Sequence, residues 1–316
     1  MVTQINTALP PGFRLDQYVI ERQLSLGGFS IVYLAMDTDG TPVVIKEYLP
    51  NSLALRTENE IEPQIAPEHL LAFRYGMQCF FEEARSLVKL MHPNVIRVLK
   101  FFRANNTAYM VMRYERGRTL HAYIRKYPNE IRENFIRSIF SRMLNGLREV
   151  HAHKLLHLDI KPSNIYLRKD YTPVLLDFGA ARQTLLNSSS VVLRPMFTPG
   201  FASPEQYGKR DDMGPWSDIY SVGASMFACI ANHPPPHANE REKEDTLKPS
   251  VETYREQYSV QLLETVDWCL RLDPMERPQS VYSLQKALLR LEPGDTLPVP
   301  WYSSLSGRLQ SYIKKQ

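Results

Sequence analysis

The chain has 316 residues, 43% of them hydrophobic and 23% charged, which is enough apolar material for a large core and far from the composition of a disordered segment. Its 38 Lys and Arg against 34 Asp and Glu leave a formal charge of +4, a small excess for so large a surface, so neither nucleic acid nor a membrane is an expected partner. The three cysteines, Cys79, Cys229 and Cys269, form no CxxC pair and read as free thiols in a reducing compartment.

The first residues lack the basic-then-apolar pattern of a secretory signal. The most apolar long stretch, Tyr220–Asn232, is about 13 residues, too short to span a bilayer. A cytoplasmic protein with no integral membrane segment is expected. Residues 1–17 read as an N-terminal extension. Tyr18–Ser25, Ile31–Asp37 and Pro42–Tyr48 are short runs rich in Val, Ile and Tyr, separated by the turn signals Gly27-Gly28 and Asp39-Gly40, and predict three strands. Phe80, Phe81, Ala84, Leu87, Val88 and Met91 recur every three or four positions and predict a helix ended by His92-Pro93-Asn94. Val95–Phe102 and Ala108–Arg113 predict two further strands, closing a small β-rich lobe over 18–112.

Residues 113–117 read as a hinge, and helices dominate beyond it: His121–Lys126, Asn129–His153, Ser217–Ala231, Gln261–Leu270 and Ser280–Leu291. This gives an α+β fold with a larger helical lobe over 118–292, the default ligand site being a cleft between lobes. In the tail, 293–316, Trp301, Leu305, Leu309, Tyr312 and Ile313 have near-helical spacing and are expected to pack back on the core.

The strongest chemical signal is His157-Leu158-Asp159-Ile160-Lys161-Pro162-Ser163-Asn164, followed by Asp177-Phe178-Gly179. An Asp, a Lys two residues later and an Asn five later put a base, a cation and a metal ligand on one short loop, which is what phosphoryl transfer to a hydroxyl requires. These residues resemble the catalytic loop and DFG motif of the eukaryotic-like serine/threonine protein kinases. Val43-Val44-Ile45-Lys46 is similar to the family's VAIK strand, and Glu83 sits where its helix glutamate pairs with that lysine. Ser203-Pro204-Glu205, Ser217–Gly223 and Arg277-Pro278 resemble later motifs, with Arg277 expected to pair with Glu205. The likeness runs from about Tyr18 to Leu291, and Lys46-Glu47-Tyr48-Leu49-Pro50 resembles bacterial members.

The resemblance implies a bilobal protein-kinase-like fold and transfer of the ATP γ-phosphoryl group, with Mg²⁺ or Mn²⁺, to Ser or Thr hydroxyls of protein substrates, with autophosphorylation. Asp159 would be the base, Lys161 would steady the γ-phosphoryl group, and Lys46, held by Glu83, would clasp the α- and β-phosphates. Asn164 and Asp177 would hold the metal. Ser25, Gly27, Gly28 and Ser30 would cover the phosphates. Val32, Val44, Met112, Glu115 and Tyr166 would surround the adenine. Lys161 and Thr198 resemble the serine/threonine subclass.

The chain departs from the family pattern in several places. Ser25 and Ser30 replace the first and third glycines of the phosphate loop, restricting it, while Gly28 restores some freedom. Leu158 replaces the arginine that would meet a phosphate on the activation segment, so activity is expected not to require phosphorylation of 182–199. The competing reading is a phosphate on Thr184, Ser188, Ser189 or Ser190 met by Arg182 or Arg194. Pro50–His69 is longer than the family's usual connection and reads as a solvated loop, the alternative being a docking or regulatory element. Two rival functions are a nucleotide-binding pseudokinase scaffold and a small-molecule phosphotransferase. Against them stand the intact chemical positions and the Glu205/Arg277 motifs.

Overall fold

In the computed structural model, residues 6–178, 197–208 and 212–289 are described. The phosphorylation candidates of the activation segment and the tail from 293 lie outside them. The chain divides into two compact units, one running to Arg116 and including Phe178, the other comprising Gly117–Asp177 and the stretch from Phe197.

The β-branched and aromatic runs of the first unit form a six-stranded antiparallel sheet. Its strands are β1 (Arg14–Leu15), β2 (Tyr18–Leu26), β3 (Ser30–Met36), β4 (Pro42–Tyr48), β5 (Val98–Ala104) and β6 (Thr107–Arg113), in the order β1-β2-β3-β4-β6-β5. Register fixes what each face carries, because residues directly opposite share a face and neighbours along a strand alternate. Val32 opposes Lys46, Val44 opposes Met112 and Lys46 opposes Met110, so these residues form one face. Tyr33, Ile45, Glu47 and Tyr109 form the other.

Helix α1 (Leu70–Leu87) turns Phe73, Phe80, Ala84 and Leu87 inward, and Tyr48 packs against Phe73 and Phe80 with ring centroids 5.2 and 5.8 Å apart. The helix ends short of the expected Pro93 stop. Arg97 donates to the carbonyls of Val88 and Leu90 at 2.8 and 3.1 Å, and the chain tightens into three-residue turns there, which leaves Met91 outside the helix and exposed.

Pro50–His69 is solvated mainly in its later part: residues 57–59, Ile61, Glu62 and residues 66–68 are exposed as expected, while Leu53, Ala54 and Arg56 are buried. Arg56 is fully buried and forks onto Glu47, Nη1 to Oε1 at 2.6 Å and Nη2 to Oε2 at 2.7 Å. Tyr33 and Tyr109 donate their hydroxyls to the same carboxylate at 2.6 and 2.8 Å. The stretch before Tyr18 joins this network: Arg56 Nε donates to the Thr7 carbonyl, its backbone N–H donates to Asn6 Oδ1, and Leu9 N–H donates to Tyr33 Oη. A carboxylate in such a setting stays buried only when its acceptor sites are filled by donors, and four hydrogen bonds from three side chains fill them here. Burial acts to lower the Arg56 pKa, but the hydrogen bonds and charge of Glu47 outweigh it and raise it further.

The second unit packs α2 (Leu120–Lys126), α3 (Glu133–Ala152), α4 (Pro215–Ala231), α5 (Ala238–Arg241), α6 (Ser250–Tyr254), α7 (Val260–Cys269) and α8 (Val281–Leu289) around one core. Phe135, Phe140, Leu144, Leu147, Tyr220, Met226 and Leu263 lie in it. The expected start of α3 at Asn129 is instead a separate 3₁₀ turn, Pro128–Glu130, because Ile131 leaves the helical region at φ −79°, ψ 80°. A three-stranded sheet that the sequence pattern did not reveal, β7 (Gly117–Thr119), β8 (Ile165–Arg168) and β9 (Pro173–Leu175), crosses the start of this unit. Gly117 fits there because a Cβ would lie 1.9 Å from the Leu167 carbonyl oxygen. Among the described residues no helix is long and apolar enough to cross a membrane.

Candidate active site

The first unit brings Lys46 and Glu83 to one pocket, lined also by Phe29, Ser30, Tyr48, Phe80 and Phe178. Both charged residues are buried, at 7% and 8% exposure, in a wall that is otherwise largely aromatic. Lys46 reaches it because it lies in a central strand, on the face shared with Val32, Val44 and Met112. Glu83 reaches it because it sits three residues past Phe80 on the inward stripe of α1.

Ser25 near the end of β2 and Gly27 and Gly28 in the turn to β3 are all exposed, and the turn leads to buried Ser30 at the start of β3. Gly27 N–H donates to the Ser30 carbonyl at 2.9 Å, while Leu49 and Asn51 N–H donate to the Phe29 and Gly28 carbonyls at 2.8 and 2.9 Å. Neither Gly27 nor Gly28 has positive φ, so the turn does not use the left-handed freedom of glycine. Its shape is instead tied to the start of the 50–69 segment, a connection no motif announced. Glu115 is half-buried just past β6.

The second unit assembles the catalytic-loop residues around the Asp159 carboxylate. Lys161 Nζ lies 3.0 Å from both its oxygens, Asn164 Nδ2 donates to Oδ2 at 2.9 Å, and Thr198 Oγ1 donates to Oδ1 at 3.0 Å. Lys161 also donates to Thr198 at 2.6 Å, so threonine, lysine and aspartate close a triangle. Asn164 is held a second time, Nδ2 donating to the Asp159 carbonyl at 2.9 Å. This spends its amide nitrogen and leaves the amide oxygen as the acceptor. Leu176 N–H donates to the Asn164 carbonyl at 2.8 Å, continuing the β8–β9 pairing and carrying the chain directly into Asp177. Tyr166 lies mid-strand in β8, opposite Thr119 on one side and Val174 on the other.

A buried scaffold supports this loop. Asp218 accepts from the N–H groups of His157 and Leu158 at 2.9 and 2.7 Å and contacts His151 Nε2 at 2.8 Å. Burial acts to raise the Asp218 pKa, but the hydrogen bond and charge of His151 and the contacts to His157 bring it below the ordinary range. His157 is fully buried, and desolvation lowers its pKa despite the nearby carboxylates, so the ring is neutral. Its Nε2–H then donates to the Leu176 carbonyl at 2.9 Å, and Nδ1 accepts from Asp159 N–H at 3.4 Å. His157 thus links the catalytic loop to the strand before Asp177 and is not poised as an acid or base.

Leu158, at φ +61°, and Asp177, at φ +49°, occupy left-handed conformations unfavourable for their side chains, at roughly 1–3 kcal/mol each. Leu158 is held there from both sides, its N–H by Asp218 and its carbonyl by Gln206 Nε2 at 3.0 Å. Sequence reasoning missed Gln206 and His151. Gln206 is one residue past the recognised Ser203-Pro204-Glu205, and His151 lies in a helix with no motif. The expected Arg277–Glu205 pair is present and buried, Nη1 to Oε1 at 2.8 Å and Nη2 to Oε2 at 3.1 Å, with Ser217 donating to the same carboxylate at 2.7 Å.

Residues 18–289 match the protein kinase domain, and the chain belongs to that family. The fold is the family's bilobal one, a curled antiparallel sheet in one lobe and a helical second lobe. The solved structure of PpkA-294 in its apo form is 36% identical and superposes with a TM-score of 0.80, covering 89% of this chain and 99% of that one. The Mycobacterium tuberculosis PknI kinase domain, 20% identical, shares the fold at a TM-score of 0.65 over 89% of this chain and 98% of that one. Serine/threonine-protein kinase D of Synechocystis sp. is 27% identical over 286 residues, 87% of this chain and 52% of that protein. Serine/threonine-protein kinase B of the same organism is 30% identical over 225 residues, 67% and 36% respectively. The alignments thus span about half or less of those two relatives.

Proposed function

We propose that the chain transfers the γ-phosphoryl group of ATP to Ser and Thr hydroxyls of protein substrates, itself included. The observation that carries this reading is the triangle of Asp159, Lys161 and Thr198. A carboxylate oriented by three donors can accept the proton of an incoming hydroxyl as the oxygen attacks phosphorus. Lys161, which already bridges Asp159 and Thr198, is placed to steady the transferring group. Lys46 and Glu83 form the triphosphate-clasping pair, with Ser25, Gly27, Gly28 and Ser30 covering the phosphates. For the base, the first unit offers Val32, Val44, Met112 and Glu115, and the second offers Tyr166.

Asn164 and Asp177 fit Mg²⁺ or Mn²⁺. Both offer oxygen, the preferred donor of these ions, and the Asn164 amide nitrogen is already engaged, which directs its oxygen to a cation. Among the described residues no three His, Cys, Asp or Glu side chains gather around a metal site, so the remaining ligands would be phosphate and water. When bound, the ion neutralises phosphate charge and orients the triphosphate.

The test is incubation with γ-labelled ATP and Mg²⁺, with and without a generic protein acceptor, followed by phosphoamino-acid analysis. Label on serine or threonine of protein is expected. Nucleotide binding without transfer would instead make the chain a scaffold, and label on a metabolite alone would make it a small-molecule phosphotransferase.

A further inference from the structure

Helix α2 lies directly against the catalytic loop, with His121 N–H donating to the Pro162 carbonyl at 2.9 Å. Between Gly117 and Asn129 the chain carries Arg118, His121, Arg125 and Lys126 and no Asp or Glu. All four are exposed. Two of them are engaged with one ring: Arg118 and Lys126 lie over Tyr127 at 5.4 and 5.3 Å from its centroid, and Arg118 also donates to its hydroxyl.

The other two differ. His121 and Arg125 are one helical turn apart, on the same face, and neither side chain has a partner among the described residues. The nearby carboxylates are already occupied, Glu130 by the Tyr123 hydroxyl at 2.6 Å and Glu133 by Arg137 and Ser259. Donors left unmatched beside a catalytic loop attract complementary charge and repel cations, and this governs which polypeptide can settle there.

We propose that His121 and Arg125 bind carboxylate side chains of the protein substrate, so that the enzyme selects Ser and Thr sites with acidic neighbours. This names the substrate class for the kinase reading above and rests on it. Because α2 is hydrogen-bonded to the loop that carries Asp159, a polypeptide whose hydroxyl is at Asp159 brings neighbouring side chains to this edge.

The test uses three peptides with one Thr flanked by acidic, neutral or basic residues, and a matched set with Ala in place of Thr. Binding of the Ala set is read by fluorescence anisotropy, and transfer to the Thr set by kcat/KM. The acidic peptide is expected to bind about five- to thirty-fold more tightly than the basic one, the gap narrowing as salt is raised. The preference should appear in kcat/KM through KM, and His121→Glu with Arg125→Glu should reverse the order in both readouts. Equal binding, a basic preference, or an acidic preference that survives the double substitution would overturn the proposal. Acidic binding that depends on both residues, but without transfer to any peptide, would uphold the surface while removing the kinase reading. Transfer without charge preference would do the opposite.

Discussion

Each unit contains a buried arginine–glutamate pair, and the two differ in how visible they are from sequence. Arg277 and Glu205 are 72 residues apart, yet both fall in motifs that resemble the family's and were expected to meet. Arg56 and Glu47 are nine residues apart, yet nothing in the pattern links them, and the segment carrying Arg56 reads as solvated loop. Legibility therefore followed recurrence of a pattern, not nearness along the chain. The hidden pair does comparable physical work: it holds residues 6–9, the 50–66 segment and the outer face of the sheet in one hydrogen-bonded assembly.

If that equivalence is right, Arg277→Met and Arg56→Met should each destabilise their own unit by about 3–5 kcal/mol, since each leaves a carboxylate buried without its cation. Chemical denaturation followed by a probe in each unit measures this. A loss at Arg56 no larger than that of a surface residue would break the comparison. Adding Glu47→Leu to Arg56→Met should recover much of the loss, because the stranded charge is then gone. Gly117→Ala should cost about 1–3 kcal/mol through its clash with the Leu167 carbonyl, read as a lower unfolding midpoint.

The pH dependence sharpens the contrast further. Burial tends to raise the Glu205 pKa, but Arg277 and Ser217 bring it below the ordinary 4.5. Its contribution is therefore present above 4.5 and is lost as pH falls through the lower folded value. His157 works in a higher window: its depressed pKa adds stability above the ordinary 6.5 that declines as pH falls below it. Unfolding midpoints between pH 7 and pH 3 should show both, and Arg277→Met should flatten only the acidic part. The smallest expected effect is in activity. Phosphatase treatment should change the transfer rate less than about twofold, because Leu158 offers no cation to a phosphate on the activation segment; a large loss would show that another residue reads that phosphate.

The loop carrying Asp159, Lys161 and Asn164 was legible because its residue types and spacing resemble the family's motif. The structure closes the three around one carboxylate with Thr198. The central strands were legible because Val- and Ile-rich runs between glycine turns have few other folds. What escaped was held by single long-range contacts. Asn6, Tyr33 and Tyr109 meet Arg56 or Glu47 through hydrogen bonds that leave no periodic trace. The short strands β7 to β9 were missed because three- and four-residue runs carry too little alternation. The end of α1 was misplaced because the chain tightens into three-residue turns at Lys89 and Leu90, where Arg97 donates to the freed carbonyls, before Pro93 is reached.

The central claim is that Asp159 orients the hydroxyl that attacks ATP. It is tested most directly by comparing the rate of γ-phosphoryl transfer by the native chain and by Asp159→Asn at saturating ATP and Mg²⁺, with nucleotide affinity measured in parallel. The account predicts a rate lower by on the order of 10²–10⁴ with affinity nearly unchanged. An undiminished rate would contradict it.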